Sequence, residues 1–220
     1  MGTPLIEKLA AAPAVGEDYR PYALAPGGTT VAFEWYRGGD WQIYCKDLPD
    51  GEPRRVGDLQ DRCACPLFSP DGRYLYFSCD DRGSECFDVY RYEPDRADLV
   101  NLLPETPDLA PLPDPDLSPD GTQLAMTVSN GSGYAVAVMP AEPSPGGAAL
   151  RHLAQFPYTE SSPRWSADGR HIAVTVGVRG QDTAICVIDT TTAESWFVGG
   201  SDSFFAGQLA WSPDGRRIAF

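Results

Sequence analysis

Four aspartates recur at similar places along the chain, and repeated carboxylates are a feature of metal-binding and acid–base catalytic sites. Each stands between a proline or alanine and a glycine, within the pentapeptides at residues 68–72, 117–121, 165–169 and 211–215. In such a pentapeptide the proline presets φ, the aspartate favours the next turn position, and the glycine takes the left-handed backbone of a three-residue hairpin loop. One carboxylate per repeat at a turn indicates a structural role for Asp71, Asp120, Asp168 and Asp214.

Two other groupings resemble metal sites only in part. Cys63 and Cys65 are separated by one residue rather than the two of a zinc half-site, and no second Cys or His cluster completes four ligands. The acidic pair Asp80 and Asp81 and the segment Asp114-Pro115-Asp116 lack the ordered ligand series of a calcium loop. We therefore expect no metal site and no cofactor.

The N-terminus indicates the cellular compartment, and the compartment in turn indicates whether the cysteines are bonded. The N-terminus lacks the basic start and long apolar run of a secretory signal, so we expect a cytoplasmic protein. A reducing compartment keeps thiols free, which favours unbonded, buried cysteines: Cys45, Cys63, Cys65, Cys79, Cys86 and Cys186. The alternative is a bond between Cys79 and Cys86, which flank a polar loop and face each other if that loop closes a hairpin.

No catalytic residue is expected in this chain. His152 falls in an outer-strand segment and His171 at the start of a middle strand, and neither has a serine or cysteine at a catalytic spacing. The segment closest to a G-x-S-x-G nucleophile elbow, residues 199–203, lacks the last glycine and lies in a loop between strands. Eight aromatic residues are candidates for a peptide or sugar site or, more commonly, for packing between sheets: Trp35, Tyr36, Trp41, Tyr44, Phe87, Tyr90, Tyr92 and Trp196.

The pentapeptides are the most regular part of a longer repeat. A fifth, weaker copy at residues 24–28 keeps the proline and the final glycine but has Gly27 in place of the aspartate. When residues 27, 71, 120, 168 and 214 are taken as equivalent, the repeat steps are 44, 49, 48 and 46 residues. A period in the middle forties is typical of β-propeller blades.

Each repeat contains four predicted strands. After the turn come two apolar strands, at residues 74–77 and 89–91 of the second repeat, and then a more polar outer strand near 99–102. The residues before the pentapeptide supply the inner strand. We predict an all-β chain with an N-terminal lead at 1–18, containing a short helix, and an incomplete propeller of four-stranded antiparallel blades at 19–220, with about four blades and the start of a fifth.

Charge and hydropathy exclude two classes of partner. With 31 acidic and 17 basic residues, the net charge of −14 repels nucleic acid and anionic membranes. The longest apolar stretch, near residues 134–139, is far shorter than the roughly 20 residues that span a bilayer. We expect no nucleic acid and no membrane among the partners.

The pentapeptide, its aromatic first residue in three copies and the repeat spacing resemble the TolB-like propeller repeat, a relative of the WD-repeat blade. The resemblance covers nearly all of the chain after about Tyr19. This repeat occurs in periplasmic TolB proteins and in the N-terminal propellers of prolyl oligopeptidase family serine peptidases, including acylaminoacyl-peptidase-like members. The short lead, the missing signal and residues 20–24 resemble the peptidase propellers more closely.

The peptidase resemblance implies a C-terminal α/β-hydrolase domain that carries the catalytic serine, aspartate and histidine and is missing from this chain. Because the sequence stops at Phe220, in the middle of an expected strand, we expect a fragment of a longer protein. The segment is then non-catalytic and gates the access of peptide substrates to the hydrolase domain. The alternative is a TolB-like scaffold that binds a protein partner.

Overall fold

The computed structural model describes residues 20–37, 39–80, 83–103, 110–129, 131–143, 149–159, 161–179, 182–198 and 207–220. The expected helix within 1–18 lies outside these residues, so it stays a prediction, as do the domain boundaries. All regular structure within the described residues is β, which confirms the predicted fold class. None of the described segments contains a helix long and apolar enough to cross a membrane.

The described residues form four sheets of antiparallel strands and a fifth sheet of two strands, which we call blades 1 to 5. Blade 1 contains β1 (Tyr22–Leu24), β2 (Thr30–Arg37), β3 (Asp40–Asp47) and β4 (Arg54–Arg55). Blade 2 contains β5 (Cys63–Phe68), β6 (Leu75–Asp80), β7 (Phe87–Glu93) and β8 (Asp98–Asn101). Blade 3 contains β9 (Ala110–Pro111), β10 (Asp116–Leu117), β11 (Gln123–Ser129), β12 (Tyr134–Pro140) and β13 (Arg151–Phe156). Blade 4 contains β14 (Arg164–Trp165), β15 (His171–Arg179), β16 (Asp182–Asp189) and β17 (Ser195–Val198), and blade 5 contains β18 (Ala210–Trp211) and β19 (Ile218–Ala219).

The strands of each blade are hydrogen-bonded in sequence order from the inner to the outer edge, as predicted, except for β9 of blade 3. A proline, which has no N–H to donate to a neighbouring strand, lies in or directly before the inner strands of blades 2 to 4. Pro115 stands directly before β10, and Pro163 stands directly before β14. In blade 3, β10 pairs with the beginning of β11, and the short strand β9 pairs with the end of β11 at Val128 and Ser129.

Apolar side chains fill the spaces between neighbouring blades. The middle strands are buried on both faces, and all six residues of β6 are buried. The cluster between blades 2 and 3 includes Leu67, Tyr76, Val89, Leu124, Met126 and Met139. Full burial of one large apolar side chain contributes about 1.5–3 kcal/mol, so these contacts between sheets are the main stabilising term.

The pentapeptides form the turns between the inner strand and the next strand. In blade 3, Gly121 has a φ of +74°, and its N–H donates to the Ser118 carbonyl oxygen over 2.8 Å. The Ser118 hydroxyl donates to Asp120 over 2.7 Å and accepts the N–H of Gln123 over 2.9 Å. Asp120 also accepts the N–H of Thr122 over 3.0 Å. Equivalent bonds recur in blades 2, 4 and 5, which accounts for the repeated aspartate.

Successive turns contact one another through glycine and proline. A Cβ atom built on Gly121 would lie 3.0 Å from Cδ of Pro70 in the preceding turn. The blade 4 turn has Ala167 in place of the proline, and nothing lies within 4 Å of a Cβ atom built on Gly215 in the turn that follows. The turn of blade 3 therefore requires glycine at position 121, both for its backbone conformation and because the neighbouring turn approaches closely.

The cysteine predictions are partly wrong. Cys63 and Cys79 form a disulfide, because they are direct partners on β5 and β6 with Cα atoms 4.1 Å apart. The alternative bond between Cys79 and Cys86 is also wrong, because the register pairs Cys79 with Asp88 and leaves the exposed Cys86 beyond the last strand pair. The thiols that are free and buried, as expected, are Cys45, Cys65 and Cys186.

Candidate functional site

Four charged side chains from three blades meet beside the inner strands. Arg20, just before β1, donates to Asp116 of blade 3 over 2.9 Å and lies 3.4 Å from Asp114. Arg164 of blade 4 binds the other carboxylate oxygen of Asp114. Because blade 1 thereby contacts blade 3 directly, the inner strands converge on one axis. We call Arg20, Asp114, Asp116 and Arg164 the axial cluster.

The axial cluster is largely withdrawn from solvent. The Asp114 side chain is fully buried, and those of Arg20, Asp116 and Arg164 are 23%, 18% and 17% exposed. Two arginines face two aspartates, which meets the requirement that buried charges be paired. Burial lowers the pKa of Arg20, but the charges of Asp114 and Asp116 outweigh it and raise that pKa above its ordinary value. The arginine therefore stays charged.

The backbone at the inner edge of blade 3 has an unusual conformation at Asp114. The inner strand of blade 2 has the same conformation at Cys65. Counted back from the turn, Asp114 and Cys65 are equivalent; both precede a proline, and their φ angles are +74° and +57°. Residues other than glycine rarely adopt this backbone conformation. In blade 2 it shifts the strand register between Ala64 and Leu67. The shift turns the N–H of Cys65 away from its own sheet and toward Glu34 of blade 1.

A buried polar residue stands six positions after the turn glycine in each of blades 1 to 4: Glu34, Ser78, Thr127 and Thr175. Glu34 accepts the N–H of Cys65 over 2.7 Å, and the Thr175 hydroxyl donates to the carbonyl oxygen of Gly207 over 3.1 Å. Both partners precede the turn of the next blade. The Ser78 and Thr127 hydroxyls have no hydrogen-bond partner within the described residues. In blades 1 and 4 this position therefore joins the second strand to the segment that precedes the turn of the next blade.

Within the described residues, the axial cluster offers charge and hydrogen bonds rather than a nucleophile. Burial, followed by the charges of Asp114 and Glu34, raises the pKa of the Cys65 thiol above its ordinary value, so the thiol stays protonated. The ring of His171 packs on Trp196 with centroids 5.5 Å apart, away from the cluster. His152 is exposed on β13. The arrangement is suited to fixing the inner strands and presenting charge.

The remaining acidic and serine candidates lie elsewhere. Asp80 ends β6 and accepts the N–H of Glu85 over 3.0 Å, which makes it part of a loop. Asp81 and the segment 199–203 lie outside the described residues. In the part of the chain that the structure describes, no group of three His, Cys, Asp or Glu side chains could hold a metal ion.

The predicted aromatic residues divide into two groups. Phe87, Tyr90 and Tyr92 pack in or against the core of blade 2. Trp35 and Tyr44 pack edge to face on blade 1 with centroids 5.0 Å apart. Tyr36 and Trp196 are exposed, and Trp41, like Trp35, is half-buried.

From the sequence, Asp114 and Asp116 were predicted only not to bind calcium, and Arg20, Glu34 and Arg164 were not predicted as functional residues. One signal was present, because a polar residue interrupts the apolar second strand at the same position of blades 1 to 4. That alignment identifies Glu34. The partners of Arg20 depend on how closely blades 1 and 3 approach, which no local pattern encodes.

Solved structures of known proteins share the fold of this chain. No family model matches the sequence, and no curated protein sequence matches it. The structure is similar to TolB from Acinetobacter baumannii, with a TM-score of 0.64 and 21% identity over 80% of this chain and 42% of that one. It is also similar to a putative TolB from Agrobacterium tumefaciens, with a TM-score of 0.66 and 19% identity over 89% of this chain and 70% of that one. A puromycin-hydrolysing peptidase from Mycobacterium tuberculosis gives a TM-score of 0.61 and 18% identity over 86% of this chain and 30% of the peptidase.

Identities this low show a shared fold, and a shared fold does not determine function. The chain spans less than half of the Acinetobacter TolB and less than a third of the peptidase. The order of the strands, the turns and the structural neighbours all indicate the same fold. By its fold, the chain is a TolB-like β-propeller, and it shares that fold with part of a puromycin-hydrolysing peptidase.

Proposed function

We propose that the chain is the non-catalytic propeller segment of a prolyl oligopeptidase family serine peptidase, in which it controls the entry of peptides to a hydrolase domain. The observation that carries this proposal is the axial cluster, in which Arg20 joins blade 1 to Asp116 of blade 3. A propeller narrowed at its axis excludes folded proteins and admits short or flexible peptides. The structural likeness to part of the mycobacterial peptidase supports the proposal.

The ion pairs suit a filter because they resist opening. Separating Arg20 from Asp114 and Asp116 leaves a buried carboxylate without one of its cations, which is strongly unfavourable. The inner strands of blades 1, 3 and 4 are therefore kept at a fixed separation. Selection by this segment is steric, and the hydrolytic chemistry belongs to the partner domain.

Labelling with a serine-reactive fluorophosphonate probe tests the peptidase assignment. The full-length gene product is expected to label when folded and to lose labelling after heat denaturation. A folded product that never labels contradicts the assignment. Filtering is tested separately, by comparing Arg20→Ala with Arg217→Ala on the cleavage of a short and a long peptide. Arg20→Ala is expected to raise the rate of cleavage of the long peptide relative to the short one. An unchanged ratio of the two rates contradicts the filtering role but leaves the peptidase assignment intact.

The second candidate function is a TolB-like scaffold that binds a protein partner across one face of the propeller. It is supported by the structural likeness to the Acinetobacter and Agrobacterium TolB proteins. A full-length product that cross-links to one protein partner and does not label with the probe would support it.

The cytoplasmic location stays a prediction. The disulfide between Cys63 and Cys79 argues against it, because structural disulfides are rare in reducing compartments. Cell fractionation with antibody detection decides between the cytoplasm and an oxidising compartment.

A further inference from the structure

A cleft between blades 1 and 2 has the size of a ligand site. Its volume is about 540 Å³, within the range of roughly 300–1,000 Å³ that is typical of small-molecule pockets. It lies beside the turns of both blades, and its apolar lining includes Val56, Phe68 and Tyr92. These side chains offer a surface on which an apolar group can pack.

The residue at one equivalent position distinguishes this cleft from the gap between blades 2 and 3. Cys45 of blade 1 and Arg91 of blade 2 are equivalent, since each pairs with the residue four positions after the turn glycine. Between blades 2 and 3, Arg91 crosses the gap to bind Glu142, and its guanidinium lies 4.4 Å from the ring centroid of Tyr74. Cys45 is too short to cross the corresponding gap. The space that an arginine fills between blades 2 and 3 is therefore a cleft between blades 1 and 2.

Arginines from both walls line the cleft. Arg54 of blade 1 binds Asp47 over 2.9 Å, yet 65% of its side chain is exposed. Arg73 of blade 2 binds Glu93 over 3.1 Å and is 51% exposed. A guanidinium has five N–H donors, so both arginines keep donors for a carboxylate. Asp95 is exposed in the same lining and offers a carboxylate of its own.

The charges that line the cleft are balanced. Three arginines and three aspartates contribute to it: Arg54, Arg55, Arg73, Asp47, Asp71 and Asp95. The whole chain has a net charge of −14 and repels simple anions at long range. A zwitterion avoids that repulsion and still provides a carboxylate for an arginine.

We propose that this cleft binds a short peptide with an apolar side chain and a free C-terminal carboxylate. The apolar side chain packs on Phe68 and Tyr92, the carboxylate accepts N–H donors of Arg54 or Arg73, and the N-terminal ammonium faces Asp95. Bidentate binding of a carboxylate is the geometry that arginine favours. The proposal rests on the geometry of the cleft and does not require the chain to belong to a peptidase.

Isothermal titration with the dipeptide leucyl-phenylalanine tests the proposal, with its C-terminal amide as the comparison ligand. Saturable binding is expected, and the amide should bind at least about tenfold more weakly because it lacks the charged acceptor. Arg54→Gln should weaken dipeptide binding by a similar factor. Arg217→Gln, a matched change of an exposed arginine in blade 5, should leave the affinity unchanged.

Cys45→Arg tests the cleft itself, because an arginine at this position reproduces the filled gap between blades 2 and 3. The variant should lose dipeptide binding while circular dichroism shows a retained β spectrum. If it does not fold, Cys45→Leu fills part of the same space and takes its place. Absence of saturation up to about 10 mM dipeptide, equal affinity for the amide, or full affinity in the folded variant would overturn the proposal. Fluorophosphonate labelling is independent of all these outcomes.

Discussion

The indole N–H of Trp211 donates to the carbonyl oxygen of Arg164 over 2.9 Å, so the first residue of the blade 5 pentapeptide is bound to the inner strand of blade 4. Trp165 makes the equivalent bond to the carbonyl oxygen of Asp116 in blade 3 over 3.2 Å. The aromatic residue of the pentapeptide therefore joins adjacent blades. At the same position, the side chains without an N–H donor are Phe68 and Leu117.

Trp165→Phe should lower the free energy of unfolding by at least about 1 kcal/mol, because one hydrogen bond is lost and the smaller ring leaves part of the buried space of the indole empty. Trp196→Phe is the matched control, since Trp196 is 45% exposed on an outer strand. Urea unfolding followed by circular dichroism measures both changes. Equal losses in the two variants would show that the bond to Asp116 contributes nothing.

Arg20→Met should lower the free energy of unfolding by about 2–4 kcal/mol, because it leaves the buried Asp114 with one cation fewer. Adding Asp114→Asn to this variant should recover part of the loss, since the uncompensated charge is then absent. A double-mutant cycle in urea measures the coupling. Additive effects of the two substitutions would contradict a direct interaction.

Gly121→Ala and Gly215→Ala form a matched pair. Both place alanine at a positive φ, +74° and +68°, which costs about 1 kcal/mol each. Only the first brings a Cβ atom against Pro70, so it should cost about 1 kcal/mol more. Thermal unfolding measures the difference. Adding Pro70→Ala to Gly121→Ala should remove the excess, and an excess that persists would rule out the contact as its cause.

The stability of the chain should fall in acid partly through Asp189. The backbone N–H groups of Thr192 and Thr191 donate to its carboxylate over 3.0 and 2.9 Å and lower its pKa from 3.8 to about 2. Because the pKa is lower in the folded state, the stabilising effect is complete above about pH 4 and is lost as the pH falls through about 2. Asp189→Asn should flatten the dependence of unfolding free energy on pH between about 5 and 2. The same slope in the variant would exclude this contribution.

Iodoacetamide should modify the native, oxidised chain first at Cys86, which is exposed. Cys45, Cys65 and Cys186 are buried and should react only after denaturation. Cys63 and Cys79 should require reduction as well. Mass spectrometry of tryptic peptides identifies each site. Labelling of Cys63 and Cys79 in denaturant without a reductant would contradict the disulfide.

The blades were predictable because the information for them is local. A turn that combines Pro70, Asp71 and Gly72 encodes its own backbone conformation, and the flanking apolar runs encode strands buried on both faces. The disulfide was not predictable in the same way. It depends on a register set by the positive φ of Cys65, and sequence reasoning used hairpin symmetry instead. The axial cluster depends on the distance between blades that are not adjacent.

The joint between blades 4 and 5 is made from both sides. Thr175 of blade 4 reaches forward to the carbonyl oxygen of Gly207, while Trp211 reaches back to the carbonyl oxygen of Arg164. Between blades 1 and 2 the forward contact is made by Glu34, whose carboxylate accepts an N–H, whereas the Thr175 hydroxyl donates to a carbonyl oxygen. Such blades are not interchangeable modules. If a gene duplication placed a copy of blade 1 directly before blade 5, the ionised Glu34 carboxylate, which can only accept, would face the carbonyl oxygen of Gly207. The polar groups at these two edges therefore constrain which blade can follow blade 1.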